Sequence, residues 1–206
     1  DALSTQVILT NVDTTFQGAM MCVTGTSTTG KAMAIYGNTT SANTGQLRGN
    51  NTSKAIYEAK VRLDTLSNGT NSYTFLAGYT EWWASAFYQT GVKFVYDNAT
   101  YGDFWVIRAD DGGTSAVVTT TAVAAATNYI LRIEIENWQM GSTGGTVKAY
   151  INDVEVVASS GSYPITTNIS KTITAYPTIW IQKTAGTISR TVYTDWVYQY
   201  YEFVNR

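Results

Sequence analysis

The chain has 206 residues, 44% of them hydrophobic and 13% aromatic, and carries a formal net charge of −2 on only 14% charged residues. That composition supports a buried core, excludes a disordered chain, and lacks the basic excess that nucleic acid or an anionic membrane surface requires of a partner. Histidine is absent and cysteine occurs once, which excludes Ser-His-Asp and Cys-His nucleophiles, histidine-ligated or cysteine-based structural zinc, and an intramolecular disulfide.

Along the chain, alternation of period two recurs and helical periodicity does not. The start, DALSTQVILTN, has no Met and no basic n-region with a cleavage site, as expected of a mature or excised piece of a longer chain. The Thr, Gly and Asn content of 24–54 predicts exposed loops around one short strand, 32-AMAIY-36. In 56-IYEAKVRL-63, Tyr57, Ala59, Val61 and Leu63 share one face while Glu58, Lys60 and Arg62 share the other, the pattern of a half-buried strand. Further strands are predicted over 72-SYTFLAGYT-80, 91-GVKFVYD-97, 103-DFWVIRA-109 and 115-SAVVTTT-121, with 121-TAVAAAT-127 as connecting structure. Tyr129, Leu131, Ile133 and Ile135 alternate with Arg132, Glu134 and Glu136, and the glycine-rich turn 140-MGSTGG-145 follows. The segment 146-TVKAYINDVEVV-157 reads as a hairpin, with Asn152-Asp153 tolerating the positive φ of its tight turn. Strands at 178-TIWIQK-183 and 191-TVYTDWVYQYYEFV-204 complete the set. Simple alternation in the last one places Tyr193, Tyr201 and Phe203 on one face and Trp196, Tyr198 and Tyr200 on the other, so this strand is expected to be covered on both sides or to lie at a subunit contact. No repeat, charge block or Pro-rich linker divides the chain, so residues 1–206 are expected to form a single all-β domain, a sandwich or barrel. No apolar run approaches the roughly 20 residues of a membrane helix.

The stretches 54-KAIYEAKVRLDTLSNGTNSYTFLAGYTE-81, 91-GVKFVYD-97, 129-YILRIEIENW-138 with 146-TVKAYINDVEV-156, and 190-RTVYTDWVYQYYEF-203 resemble the concanavalin A-like lectin/glucanase jelly roll, particularly the version in laminin-G-type modules and phage virion proteins. The resemblance covers about three quarters of the chain and is one of pattern; Asn152-Asp153 stands where such modules commonly show Asn-Gly. It implies a jelly-roll β-sandwich of two antiparallel sheets. It further implies a virion surface component of a tailed phage, a fibre, spike or capsid decoration protein, assembled with other virion subunits as a homo-oligomer, trimers being frequent among such fibres, and binding cell-surface or environmental polysaccharide. Two alternatives stand beside that reading: a polysaccharide-degrading hydrolase or lyase of the same superfamily, and an assembly module without ligand.

Glu134 and Glu136 are the best candidates for a catalytic carboxylate pair. Glucanases of the superfamily resemble a Glu-x-Asp-x-x-Glu strand, whereas this chain reads 134-EIENWQ-139, with Gln139 where the last acid would stand. A solvent-facing ladder of Arg132, Glu134 and Glu136 opposite Lys148 is the favoured reading. Alginate-lyase-like members carry a histidine and a Tyr-x-Lys pattern that this chain does not supply, so no enzymatic role is expected. Asp97, Asn98, Asp103, Asp110 and Asp111 offer oxygen ligands on loops for a calcium ion, although Asp and Asn on loops are more often turn formers, and no cofactor is expected. Sequons at Asn38, Asn50, Asn51, Asn68, Asn98 and Asn168 arise readily by chance in a chain rich in Asn, Ser and Thr.

The stretch 79-YTEWWASAFYQ-89 puts five aromatic residues into eleven positions. Tyr79 belongs with Tyr73, Phe75 and Ala77 on the inner face of its strand. Trp82 and Trp83 are neighbours on an extended chain and point oppositely, so at most one is expected in the core. The other, with Glu81 and Gln89, is the predicted carbohydrate-binding or subunit-contact site.

Overall fold

The computed structural model describes residues 7–8, 19–35, 47–48, 52–81, 90–111, 113–137, 145–167 and 174–203. In chain order these form β1 (Val7–Ile8), β2 (Met20–Val23), β3 (Lys31–Ile35), β4 (Leu47–Arg48), β5 (Thr52–Leu63), β6 (Tyr73–Glu81) and β7 (Gly91–Asp97). A single helical turn, α1 (Asn98–Tyr101), leads into β8 (Phe104–Asp110), β9 (Thr114–Ala122), β10 (Asn128–Glu136) and β11 (Thr146–Ile151). The chain ends with β12 (Val154–Glu155), β13 (Ala158–Ser160), β14 (Thr174–Lys183) and β15 (Thr191–Phe203).

Two antiparallel sheets result. Sheet A has seven strands in the order β1-β2-β15-β5-β10-β11-β12; sheet B has eight, β13-β9-β8-β7-β6-β14-β3, with β4 also paired to β14. The alternation read from the sequence fixes which face of each strand turns inward. Tyr57, Ala59, Val61 and Leu63 of β5 and Leu131, Ile133 and Ile135 of β10 are fully buried, and they meet Phe75, Ala77, Tyr79, Phe94, Trp105 and Ile107 from sheet B in one continuous cluster. Trp105 stands near its middle, with the rings of Tyr129, Phe75 and Phe94 at centroid distances of 5.3, 6.0 and 6.2 Å in edge-to-face contacts. Tyr79 is core, as expected, its ring edge-on to Tyr57 and its hydroxyl donating to the Ile56 carbonyl at 2.8 Å.

The hairpin turn between β11 and β12 has the conformation its residues favour: Asn152 and Asp153 both have positive φ, 52° and 64°. Asn152 Oδ1 also accepts the Ile130 N–H at 2.8 Å, tying the turn to β10.

The last strand departs from simple alternation. Its register against β5 slips between Thr194 and Trp196, so Asp195 is an extra residue, a β-bulge, and its carboxylate is held by Lys60 Nζ at 2.8 Å. Ahead of the bulge Val192 and Thr194 face inward; beyond it Val197 and Tyr201 pack on the core. Tyr193 is thereby on the same outer face as Trp196, Tyr198 and Tyr200, and not with Tyr201 as alternation predicts. The Arg62 guanidinium lies 4.5 Å from its ring centroid.

Candidate functional site

The outer faces of the two sheets differ in chemistry. On sheet B the outward positions of the central strands are buried. Leu76, Val95, Val106 and Trp180 form a second apolar cluster, against which Tyr101 of α1 packs, and beside it lies a row of buried polar groups. Lys93 and Arg108 are register partners on β7 and β8, and both turn to Asp110. Lys93 Nζ is 2.8 Å from Asp110 Oδ2; Arg108 donates from Nη2 to Oδ1 at 2.7 Å and from Nε to Oδ2 at 3.3 Å; the Thr114 hydroxyl adds a 2.7 Å bond to Oδ1. Burial lowers the pKa of the Lys93 ammonium against the pull of the Asp110 charge. Burial also works against the Asp110 charge, yet the Arg108 bonds, the Lys93 charge and the Thr114 hydroxyl outweigh it and hold the carboxyl below its ordinary range. Two cations sharing one carboxylate, with Lys93 0% exposed, form a buried structural unit.

On sheet A the outer face is open and mixed. Across β5, β10 and β11 runs a charge ladder: Glu58 to Arg132 at 3.6 Å, Arg132 to Glu134 at 3.3 Å, Lys54 to Glu134 at 3.5 Å and Lys148 to Glu136 at 3.9 Å. Arg132 also covers the Tyr150 ring at 4.2 Å. Burial raises the Glu58 carboxyl, opposed by the Arg132 charge. Beside the ladder, along β15, run Trp196, Tyr198 and Tyr200, in register with Lys60, Glu58 and Ile56. Tyr198 is 51% and Tyr200 42% exposed, and Trp196 is half-buried. Alternate residues of a strand are ~7 Å apart, so the row spans about 14 Å of flat, amphipathic surface.

No protein-family model and no curated protein matches the sequence. Solved structures do resemble the fold. They include the carbohydrate recognition domain of Emp46p in its potassium-bound form, 8% identical with a TM-score of 0.55 over 89% of this chain and 82% of that one. Two others are the endo-β-1,4-glucuronan lyase of the fungus Trichoderma reesei (14%, 0.53, 88% and 79%) and the legume lectin-like domain of Entamoeba histolytica (9%, 0.51, 90% and 84%). The fold is the concanavalin A-like jelly roll. Lectin domains and polysaccharide lyases share it, and at such low identity the likeness carries the fold alone.

Within this jelly roll the sequence-predicted residues are dispersed. Glu134 and Glu136 occupy alternate outward positions of β10, each paired with a cation of the ladder. Glu81 closes β6 opposite Ala175; Trp82, Trp83 and Gln89 lie outside the described residues. The loop acids do not converge. Asp97 accepts the Thr100 hydroxyl and Asp103 accepts Tyr96 Oη and Asn98 Nδ2, all at 2.8 Å, at the α1 end of the β7-β8 pair. Asp110 is opposite Gly91 at the far end, about 20 Å along a seven-residue strand, and Asp111 begins the next turn with its N–H bonded to the Gly113 carbonyl. Among the described residues no three acids, cysteines or histidines are close enough to share a metal ion. The calcium candidates on these loops thus stand in two separate settings, a turn at the α1 end and an ion pair at the far end. The Lys93-Arg108-Asp110 unit was not anticipated; its only trace in the sequence is a Lys and an Arg set inside the otherwise apolar runs GVKFVYD and DFWVIRA.

Proposed function

We propose that this chain is a non-catalytic carbohydrate-binding jelly-roll domain whose glycan lies along the outer face of β15, and that it is displayed on a tailed-phage virion as a fibre, spike or decoration subunit. The observation that carries the binding reading is the outward row of half-buried Trp196 and exposed Tyr198 and Tyr200, a stacking surface for the apolar faces of sugar rings, edged by Lys60, Glu58 and Arg132 as hydrogen-bonding groups. The virion setting is supported by the sequence resemblance.

The non-catalytic reading is supported by the same geometry. Eliminative or hydrolytic cleavage needs a group free to move a proton. Glu134 and Glu136 are engaged in the ladder, and the cations of the other sheet face are committed to Asp110. A glycan array with the intact protein and with Trp196→Ala and Tyr198→Ala tests the proposal. The expected result is binding that falls at least tenfold in either variant while the thermal midpoint holds. Binding unchanged in both, but lost in Trp82→Ala or Trp83→Ala, would move the site to the 82–89 stretch. Release of unsaturated products from polyuronates by the intact protein would replace the reading with a lyase.

A further inference from the structure

One end of the sandwich holds two buried cations that no acid among the described residues neutralises. Lys183 closes β14 opposite Tyr73, on the inward face it shares with Ile181, and is 2% exposed. Arg190 directly precedes β15, turned inward in step with Val192, and is 5% exposed. The turn after β2 ties them together. Lys183 Nζ and the Thr24 hydroxyl both donate to the Gly25 carbonyl at 3.3 Å, while Thr24 exchanges two 3.0 Å bonds with the Arg190 backbone, Arg190 N–H to Thr24 Oγ1 and Thr24 N–H to the Arg190 carbonyl.

Among the described residues the remaining donors have no acceptor. The Arg190 guanidinium donates from Nη1 to Thr65 Oγ1 at 2.7 Å and from Nη2 to the Asn71 carbonyl at 2.9 Å, over the Tyr73 ring, yet its buried Nε has no hydrogen-bond partner. Lys183 uses one of its three N–H donors on Gly25. The acids nearest this end are engaged elsewhere: Asp64 with Arg62 at 3.9 Å, and Asp103 with Tyr96 and Asn98. A guanidinium does not deprotonate, so positive charge is fixed here, and an uncompensated buried charge is costly. Burial and then the Arg190 charge lower the pKa of the Lys183 ammonium, as expected of two like charges brought together out of water.

We propose that this end of the jelly roll is an anion site, in which a small monovalent anion of halide or acetate size is held between Lys183 Nζ and Arg190 Nε. The surrounding chain is closely packed at two glycines. A Cβ added to Gly30 would come 1.8 Å from the Thr24 carbonyl oxygen, and one added to Gly186 would come 2.1 Å from Asn71 Oδ1. Asn71 Oδ1 in turn accepts the Ile188 N–H at 3.3 Å.

The test compares the thermal midpoint in sodium chloride, sodium acetate and sodium gluconate at equal ionic strength. Chloride or acetate at ten times its dissociation constant is expected to raise the midpoint by about 3 °C over gluconate. In Lys183→Met that difference vanishes. Equal midpoints in all three salts, or a chloride response retained in Lys183→Met, overturns the proposal. Should that variant fail to fold, crystals of the unaltered protein grown with bromide decide alone: an anomalous peak between Lys183 and Arg190 supports the site, and its absence rejects it.

Discussion

Asp110 and Glu134 are both acidic residues on strand faces turned away from the core, and their surroundings predict opposite costs of removal. Asp110 is 7% exposed and is the shared partner of Lys93 and Arg108, so Asp110→Asn leaves two buried cations facing a neutral amide. The expected loss is about 3–5 kcal/mol in urea unfolding. Glu134 lies in a ladder where Arg132 keeps Glu58 and Asp153 as further partners, and Glu134→Gln is expected to cost less than about 1 kcal/mol. A loss above 2 kcal/mol for Glu134→Gln would show that the ladder is a cooperative network. The sign of the acid dependence also follows. The folded-state pKa of Asp110 is depressed, so its contribution is complete above the unfolded value of about 3.9 and disappears as pH falls through the lower folded value. Urea midpoints measured from pH 6 to pH 2 should therefore fall less steeply in Asp110→Asn than in the unaltered protein.

Strands with regular alternation were legible because apolar residues face inward and charged ones outward, over 57–63 of β5 and 131–136 of β10. The β11-β12 turn was legible because Asn and Asp are the non-glycine residues most tolerant of positive φ. It also yields a stabilising substitution. Asp153 has φ of 64° and a side chain 69% exposed, so Asp153→Gly removes strain and loses only the surface contact with Arg132. The expected gain is about 0.5 kcal/mol, seen as a small rise in thermal midpoint; a fall would mean that the Arg132-Asp153 bond at 3.0 Å outweighs the strain. The β15 bulge was not legible, because an extra residue is defined against the partner strand and leaves no mark in a run of aromatics. The candidate platform depends on it: if Asp195 took a regular place in the ladder, alternation would put Trp196 on the inward face with Thr194. The four-residue β2, MMCV, was missed for a related reason, being too short for a period to show.

At the scale of the molecule the sequence carried the two-sheet architecture, while the Lys93-Arg108-Asp110 unit and the Lys183-Arg190 pair arise from register and chain return between distant segments. Whether all these parts unfold together can be read from the lone thiol. Cys22 lies on β2, opposite Val192, is fully buried in the core shared by both sheets, and burial pushes its pKa up to about 12. A thiol reagent attacks the thiolate, so the folded chain resists labelling and reaction proceeds through opened molecules, whose thiol has a pKa near 8.5. If the 206 residues form one cooperative unit, the opening free energy from labelling rates in dilute urea should equal the unfolding free energy from the optical transition. The rate should also rise about tenfold per pH unit below pH 8, tracking the unfolded thiolate. Labelling tenfold faster than global unfolding allows would show that β2 detaches from β15 by itself, making the sheet A edge a separately opening segment.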